Sequence, residues 1–435
     1  MPDGIDERRS RLSPEKRELL AKRLGSLAGA VEAKAPAAAP VPSPAAAEPD
    51  PRVELVNAPG APSPIAPGLW PALVATGAEE ARKLAVLPGL LADAAREPKL
   101  DEQAAAFLAA AFRRLGVFQR PGEERTVDGL IADCGIQAKH RKVLGRWMAA
   151  LQEEGLVDPT GRDSWVAREP IPPPAFDARI TAEEREYYGT NLPAVLTGAV
   201  HPLEFYLRDG SSASVESSYR ELPIFRYCNG ISAAVLETQA RAMSAGAAGA
   251  RLRIVEIGAG TGGTTASLLP LLPPARTIYH FTDVSKFFTD LGRQKFHDFP
   301  FLRFRELDVE RDPAAQGYPP ASFDWVVAAH VLHATRSIAE TLEHVKRLLA
   351  PGGVLLLLEE TRFQRKYNFS MGFLPGFDHF EDYDRRPLHP LLSTAKWREA
   401  LLTAGFVDFA TFTQPGSAAD VLGVDVMLVR AAGGF

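Results

Sequence analysis

From Arg251 onward the chain alternates apolar, strand-like runs with amphipathic helical stretches, and that order leaves few folds open. RLRIVEIGAG reads as a strand ending in a Gly-rich turn, and TTASLLPLL as the helix after it. TIYHFTDVS, FRELDVE and FDWVVAAHV follow as a second, third and fourth strand. IAETLEHVKRLLA is a helix closed by Pro351-Gly352-Gly353, and VLLLLEET is a fifth strand. Beyond TAKWREALLTAGF come FATFTQ and DVMLVRAA, whose short connection fits an antiparallel hairpin at one sheet edge. Near-continuous apolar strands joined by crossover helices require a mostly parallel sheet covered on both faces. The expectation is an α/β, doubly wound core over residues 246–435, preceded by a mainly helical region.

The chain has 435 residues, 46% hydrophobic and 24% charged, enough for two or three domains and too apolar for global disorder. A net charge of −5 argues against a protein built around nucleic-acid phosphates. Two cysteines, Cys134 and Cys228, are too few for a disulfide scaffold or a four-cysteine zinc site. No charged segment followed by an apolar stretch opens the chain, and no apolar run nears the ~18 residues of a membrane span. A cytoplasmic protein with no membrane partner is the expectation.

Residues 1–34 read as a basic amphipathic helix, with Ser13 as N-cap and Pro14 at the first helical position. Residues 35–69 are rich in Ala and Pro and predict an extended, semi-rigid linker. Residues 70–245 predict a helical lid. Within it EQAAAFLAAAFRRLG and KHRKVLGRWMAALQEEGLV, followed by DPTGRD and SWVA, suggest a winged-helix shape. Acids are mixed with the bases there, so no basic stripe favours DNA, and a dimerisation or lid role is expected.

The loop Glu256-Ile257-Gly258-Ala259-Gly260-Thr261-Gly262-Gly263 joins the first strand to its helix. Glycines let the backbone turn tightly and approach a ligand closely. Gly258, Gly260 and Gly263 also satisfy a dinucleotide pattern, so a nicotinamide oxidoreductase stays open on the loop alone. The acids around it favour another cofactor. Glu256 at the strand end would repel a pyrophosphate but tolerates a sulfonium and an ammonium. Asp283 ends the second strand, placed to hydrogen-bond ribose hydroxyls. Asp308 is expected to end the third, placed to accept from an adenine amino group. S-adenosylmethionine is the expected cofactor.

EIGAGTGGTT, FTDVS, LDVERDPAAQG, VLHAT and LLAPGGVLLLLEET resemble the class I methyltransferase domains embedded in polyketide synthases and hybrid polyketide–peptide synthetases. The resemblance covers residues 251–435 and implies a Rossmann-like core with a seven-stranded, mostly parallel sheet. RYCNG, at 226–230, is similar to a block in which an aromatic side chain closes over the cofactor, which makes Tyr227 a candidate contact or, alternatively, a packed core tyrosine. The opening LSPEKRELLAKRL resembles linker helices of such assembly lines. Implied partners are an acyl or peptidyl carrier protein bearing a phosphopantetheine-linked substrate, and neighbouring synthase modules.

His333 follows the fourth strand and Glu359 ends the fifth, one crossover helix apart. In a βαβ unit such strands can be neighbours with their carboxyl ends at one edge. A neutral imidazole can take a proton near neutral pH, and a carboxylate on its other nitrogen fixes the tautomer. The resemblance implies the same His–Glu dyad. His330 joins Glu256, Gly258, Gly260, Gly262, Asp283, Asp308 and Tyr227 as a cofactor-binding candidate, although relatives usually show asparagine in its place. Gly376-Phe377 likewise replaces a tryptophan pair. A metal site among His330, Asp378 and His379 lacks ligand spacing, and Arg385 and Arg386 are either phosphate contacts or surface charges. The expected reaction is methylation of the α-carbon of a carrier-tethered β-ketoacyl thioester. O-methylation of a hydroxyl or enol and a non-catalytic scaffold role remain the alternatives.

Overall fold

The computed structural model describes Ile65 and residues 67–178, 180–206, 222–245 and 251–433. The helix expected in 1–34 lies outside the described residues, as does most of the 35–69 linker. Pro67–Leu69, at the end of that stretch, form a 3-10 turn.

In chain order the elements begin with α1 (Trp70–Leu84) and α2 (Pro88–Arg114). Next come β1 (Glu123–Thr126), α3 (Val127–Asp133), α4 (Arg141–Glu153), β2 (Asp158–Gly161) and β3 (Ser164–Ala167). After α5 (Ala182–Thr197), α6 (Pro202–Tyr206) and α7 (Pro223–Ala245), the regular alternation starts. It runs β4 (Leu252–Ile257), α8 (Gly263–Leu268), β5 (Thr277–Asp283), α9 (Lys286–Lys295), β6 (Leu302–Glu306) and β7 (Phe323–Ala329). It closes with α10 (Ile338–Leu348), β8 (Leu349–Glu360), α11 (Thr394–Thr403), β9 (Phe406–Thr411), α12 (Ala418–Leu422) and β10 (Val424–Ala431).

Two compact units result. One contains the described residues of 95–214 together with 363–390; the other contains those of 29–94, 215–362 and 391–435. These units group the residues differently from the expected division into 1–34, 35–69, 70–245 and 246–435. Helices α1 and α7 carry Leu73, Tyr227, Ile231 and Leu236 into the apolar layer of the sheet. The segment 363–390, inserted between β8 and α11, instead lends Phe369 and Phe373 to the helical unit.

The sheet unit has strand order β6-β5-β4-β7-β8-β10-β9, parallel from β6 to β8 and antiparallel at β10 and β9. Both faces are covered, as the apolar strands demanded. α10 shows why a local sequence commits to this arrangement. Ser337 caps its start by accepting from the Glu340 N–H, and Ile338, Leu342, Val345 and Leu348 recur at helical spacing along the buried face. They pack with Trp397 and Leu401 of α11 on one side of the sheet. A buried ion pair stitches the start of β4 to β7: Arg253 donates to Asp324 from Nε at 3.0 Å and from Nη2 at 2.7 Å.

The helical unit contains the expected winged-helix order: α2, β1, α3, α4, β2, β3, with strands arranged β1-β3-β2. Its α4 occupies the place of a recognition helix, yet of residues 141–151 only Arg141 is exposed. The segment 363–390 covers it. Trp147 Nε1 donates to the Asn368 carbonyl at 2.9 Å, Arg146 Nη2 to that of Gly372 at 3.1 Å, and Lys142 Nζ to that of Asp378 at 2.7 Å. A helix enclosed in this way offers no face to a DNA groove.

Candidate active site

The β4–α8 loop is built for close approach. Gly258, Gly260 and Gly262 take φ of 62°, 55° and 76°, the left-handed region that a side chain resists. A Cβ at Gly258 would lie 2.4 Å from Val331 Cγ2, so the loop and the turn after β7 touch only because the residue is glycine. At Gly260 the nearest atom to such a Cβ is 3.9 Å away, leaving open space over the loop. Asp283, the last residue of β5, accepts from the Gly260 N–H at 3.0 Å and from the Ser285 N–H at 2.9 Å. This cradle of backbone, open space and strand-end carboxylate fits an adenosyl cofactor.

The other acids are placed differently from one another. Glu256 is buried, and its Oε2 accepts from Thr265 Oγ1 and Tyr279 OH, each at 2.6 Å. Burial pushes its pKa up to about 7, against the two hydroxyl bonds that favour the anion. Asp308 does not end a strand as expected. β6 stops at Glu306, and Asp308 sits in the following turn, where its Oδ1 accepts from the Glu310 N–H and Gln316 holds its backbone. Two residues with local side-chain bonds end the ladder early. Tyr227 is buried in α7, its hydroxyl 3.5 Å from the Phe412 carbonyl, and burial raises its phenol to about 12.

At the ends of β7 and β8, which are parallel neighbours, the side chains of His333 and Glu359 meet. His333 lies in the 3-10 turn Leu332–Ala334, and its Nδ1 is 2.5 Å from Glu359 Oε2. Glu359 Oε1 accepts from the N–H of Leu332 at 2.8 Å and of His333 at 3.3 Å, so one carboxylate fixes both the turn and the ring. Glu359 is fully buried, whereas the His333 side chain keeps 11% of its surface. The ring nitrogen that meets Glu359 is Nδ1.

Glu360 was not singled out from the sequence. It faces His330, whose Nδ1 is 3.0 Å from its Oε1, and the His330 ring packs edge-to-face on Phe225 at 5.1 Å. Ligand atoms of His333, Glu359 and Glu360 fall within 4.8 Å of one another. The first two of these, His333 Nδ1 and Glu359 Oε2, are at hydrogen-bond distance from each other. Asp378 of the tentative metal trio pairs with Arg146 in the helical unit. Arg386 is neither surface charge nor accessible phosphate contact: it is buried against Asp382 and the Phe380 ring. No helix among the described residues is long and apolar enough to cross a membrane.

A family model described as a methyltransferase domain matches residues 255–355. Among solved structures, the CurJ carbon methyltransferase superposes with a TM-score of 0.73 at 29% identity, covering 84% of this chain and 98% of that one. The DszA carbon methyltransferase gives 0.73 at 27%, covering 87% and 100%. This chain therefore carries a class I methyltransferase domain, and S-adenosylmethionine is its cofactor. More particularly, it is similar to methyltransferase domains of polyketide synthases and hybrid synthetases. The hybrid PKS-NRPS synthetase iliA of Neonectria sp. is 34% identical over 344 residues, 73% of this chain and 8% of that protein. The polyketide synthase ThaQ of Burkholderia thailandensis is 33% identical over 293 residues, 62% and 14%. A highly reducing polyketide synthase, rstn3 of Aspergillus nomiae, is 46% identical over 160 residues, 36% and 6%. The chain thus spans only a small fraction of the length of these relatives.

Proposed function

We propose that the chain methylates the α-carbon of a β-ketoacyl thioester carried on the phosphopantetheine of an acyl or peptidyl carrier protein, as one module of a synthase assembly line. The observation that carries this reading is the His333–Glu359 pair at adjoining strand ends, next to the glycine loop through the Val331–Gly258 contact. The carbon methyltransferase structures to which it is similar support carbon as the nucleophile.

When bound, S-adenosylmethionine supplies an electrophilic methyl group on a positively charged sulfur. Gly258, Gly260 and Gly262 would line it with backbone, Asp283 would take the ribose hydroxyls, and Asp308 the adenine side. Glu256, Tyr227 and His330 complete the proposed cofactor contacts. Of these, Glu256 and Tyr227 act from buried positions whose recorded bonds run to the protein. His333 accepts the α-proton at Nε2, made acidic by the flanking carbonyls of the substrate. Glu359 holds Nδ1–H and stabilises the imidazolium that forms. The carbanion is then aligned with the methyl group, and alignment with deprotonation supplies most of the rate.

The test is incubation of the full chain with isotopically labelled S-adenosylmethionine and either a β-ketoacyl or a β-hydroxyacyl carrier protein. Label is expected on the ketoacyl carrier, at carbon. Methylation of only the hydroxyacyl carrier would make the chain an O-methyltransferase and overturn the proposal.

A further inference from the structure

Four ionisable side chains meet where β7 and β8 end, and the dyad uses only two of them. Glu360, the last residue of β8, has an imidazole on each side: its Oε1 is 3.0 Å from His330 Nδ1 and its Oε2 is 3.8 Å from His333 Nδ1. Successive strand residues project to opposite faces, so adjacent glutamates do not ordinarily serve neighbouring histidines. Here the backbone of His330 takes a left-handed φ of 56°, a conformation rare for a bulky residue and retained where the surroundings enforce it. Its N–H is held by the Leu358 carbonyl at 2.8 Å, and its ring by Phe225.

We propose that His330 is a positioning residue acting through Glu360: it holds that buried carboxylate directed at His333, giving the base a second carboxylate partner. The proposal rests on the reading of His333 as the base. Each partner shifts the other toward its charged form. Burial disfavours the Glu360 anion, but His330, and after it His333, outweigh burial and hold Glu360 well below the usual carboxylate range. Burial likewise opposes charge on His330, and Glu360 outweighs it, so the imidazole is raised above its ordinary value. A carboxylate facing His333 stabilises its protonated form and makes it a stronger base, which suits a carbon acid.

The surrounding charges leave this arrangement intact. Asp425, register partner of Glu359 on β10, is occupied by the hydroxyls of Thr394 and Thr411 and the N–H of Thr413. From α7, the Cys228 thiol is buried and pushed up by burial, with Asp425 and Glu360 adding to the effect. Beyond the 3-10 turn, Arg336 pairs with Glu340, and its N–H donates to Glu310.

The experiment is a nitrogen-15 titration of the histidine rings in the full chain, with His333 assigned by its loss in His333→Ala. Glu360→Gln removes the carboxylate, and His330→Asn removes the imidazole that faces it. His333 is therefore expected to titrate about one pH unit lower in each, a tenfold change in proton affinity. The double variant should go no lower, because both changes remove one device. Glu360→Asp, which keeps the charge, should retain most of the wild-type value and guards against a folding artefact. In turnover, the acid limb moves to lower pH while the plateau drops; a merely structural role would lower the plateau without moving the limb. An unmoved His333, a rise in His330→Asn, or additive shifts would overturn the proposal. Normal turnover by His333→Ala would instead sink the catalytic reading of the dyad, and the ring titration would still report on Glu360.

Discussion

In the sheet unit, ionisable side chains collect at the carboxyl ends of β4, β5, β7 and β8, where Glu256, Asp283, His333, Glu359 and Glu360 stand. The helical unit gathers aromatic rings instead. Phe107 lies 4.9 Å from Tyr188 and 5.0 Å from Phe369, and Trp147 meets Phe112 edge-on at 5.5 Å. Its charged groups bind the segment that covers α4, as Arg146 and Lys142 do. A parallel sheet leaves a crevice at one edge that polar groups must line; a small helical module closes on itself. Ionisable groups therefore gather in the sheet unit and aromatic packing in the helical unit.

That contrast is open to attack by substitution. The largest effect is expected at Glu359→Gln. Losing the carboxylate that fixes the His333 ring should reduce turnover by about 10²–10⁴-fold. Affinity for S-adenosylhomocysteine, read by calorimetry, should stay within a few-fold; a matching collapse in affinity would make Glu359 a binding residue. In the helical unit, Trp147→Ala should cost about 3–5 kcal/mol in denaturant titrations. The fully buried ring fills a large volume, and its N–H bond to Asn368 is lost. A change near zero would show the core there to be loosely packed.

Gly258→Ala is a test of the loop. The added methyl would meet Val331 at a positive φ, so cofactor affinity should fall at least about tenfold, ~1.4 kcal/mol. Unchanged affinity would remove the close approach from the account.

The smallest effect separates the units by pH. Each buries a neutral histidine. His140 in the helical unit is lowered to about 4 by burial and Lys139, and His280 on β5 to about 3 by burial and the Arg305 and Arg303 charges. Their unfolded rings protonate near 6.5. The stability tied to these groups is complete above that value and is lost on acidification, towards pH 4 for His140 and towards pH 3 for His280. Hydrogen-exchange protection of the helical unit, measured from pH 7 downward, should decline, whereas in the sheet unit protonation of Glu256, raised to about 7, offsets part of the His280 loss. Equal protection of the helical unit at pH 7 and 4 would contradict this.

The sheet was legible because period and chemistry coincide in it. Continuous apolar strands, a glycine turn and strand-end acids all point to one topology, and the strand order follows it. The meeting of His333 and Glu359 was legible because one crossover helix separates them. Glu360 was not: strand alternation would turn it away from Glu359, and its two imidazole neighbours come from the turn after β7, where His330 takes a left-handed φ. Asp308 was misplaced because side-chain bonds from Gln316 end β6 two residues early. The unit boundaries escaped for a different reason. Nothing local in 363–390 says that Phe369 and Phe373 complete a distant aromatic core, nor in α1 and α7 that their apolar faces belong to the sheet. Tertiary packing sets those assignments, and periodicity does not report it.

The central claim is that His333 is the base for methyl transfer to carbon. Its most direct test is the mass of a β-ketoacyl carrier protein after incubation with S-adenosylmethionine and either the wild-type chain or His333→Ala, with cofactor affinity measured in parallel. One added methyl with the wild type, and none with the variant at near-equal affinity, is the predicted result. Equal methylation by both proteins would contradict the account.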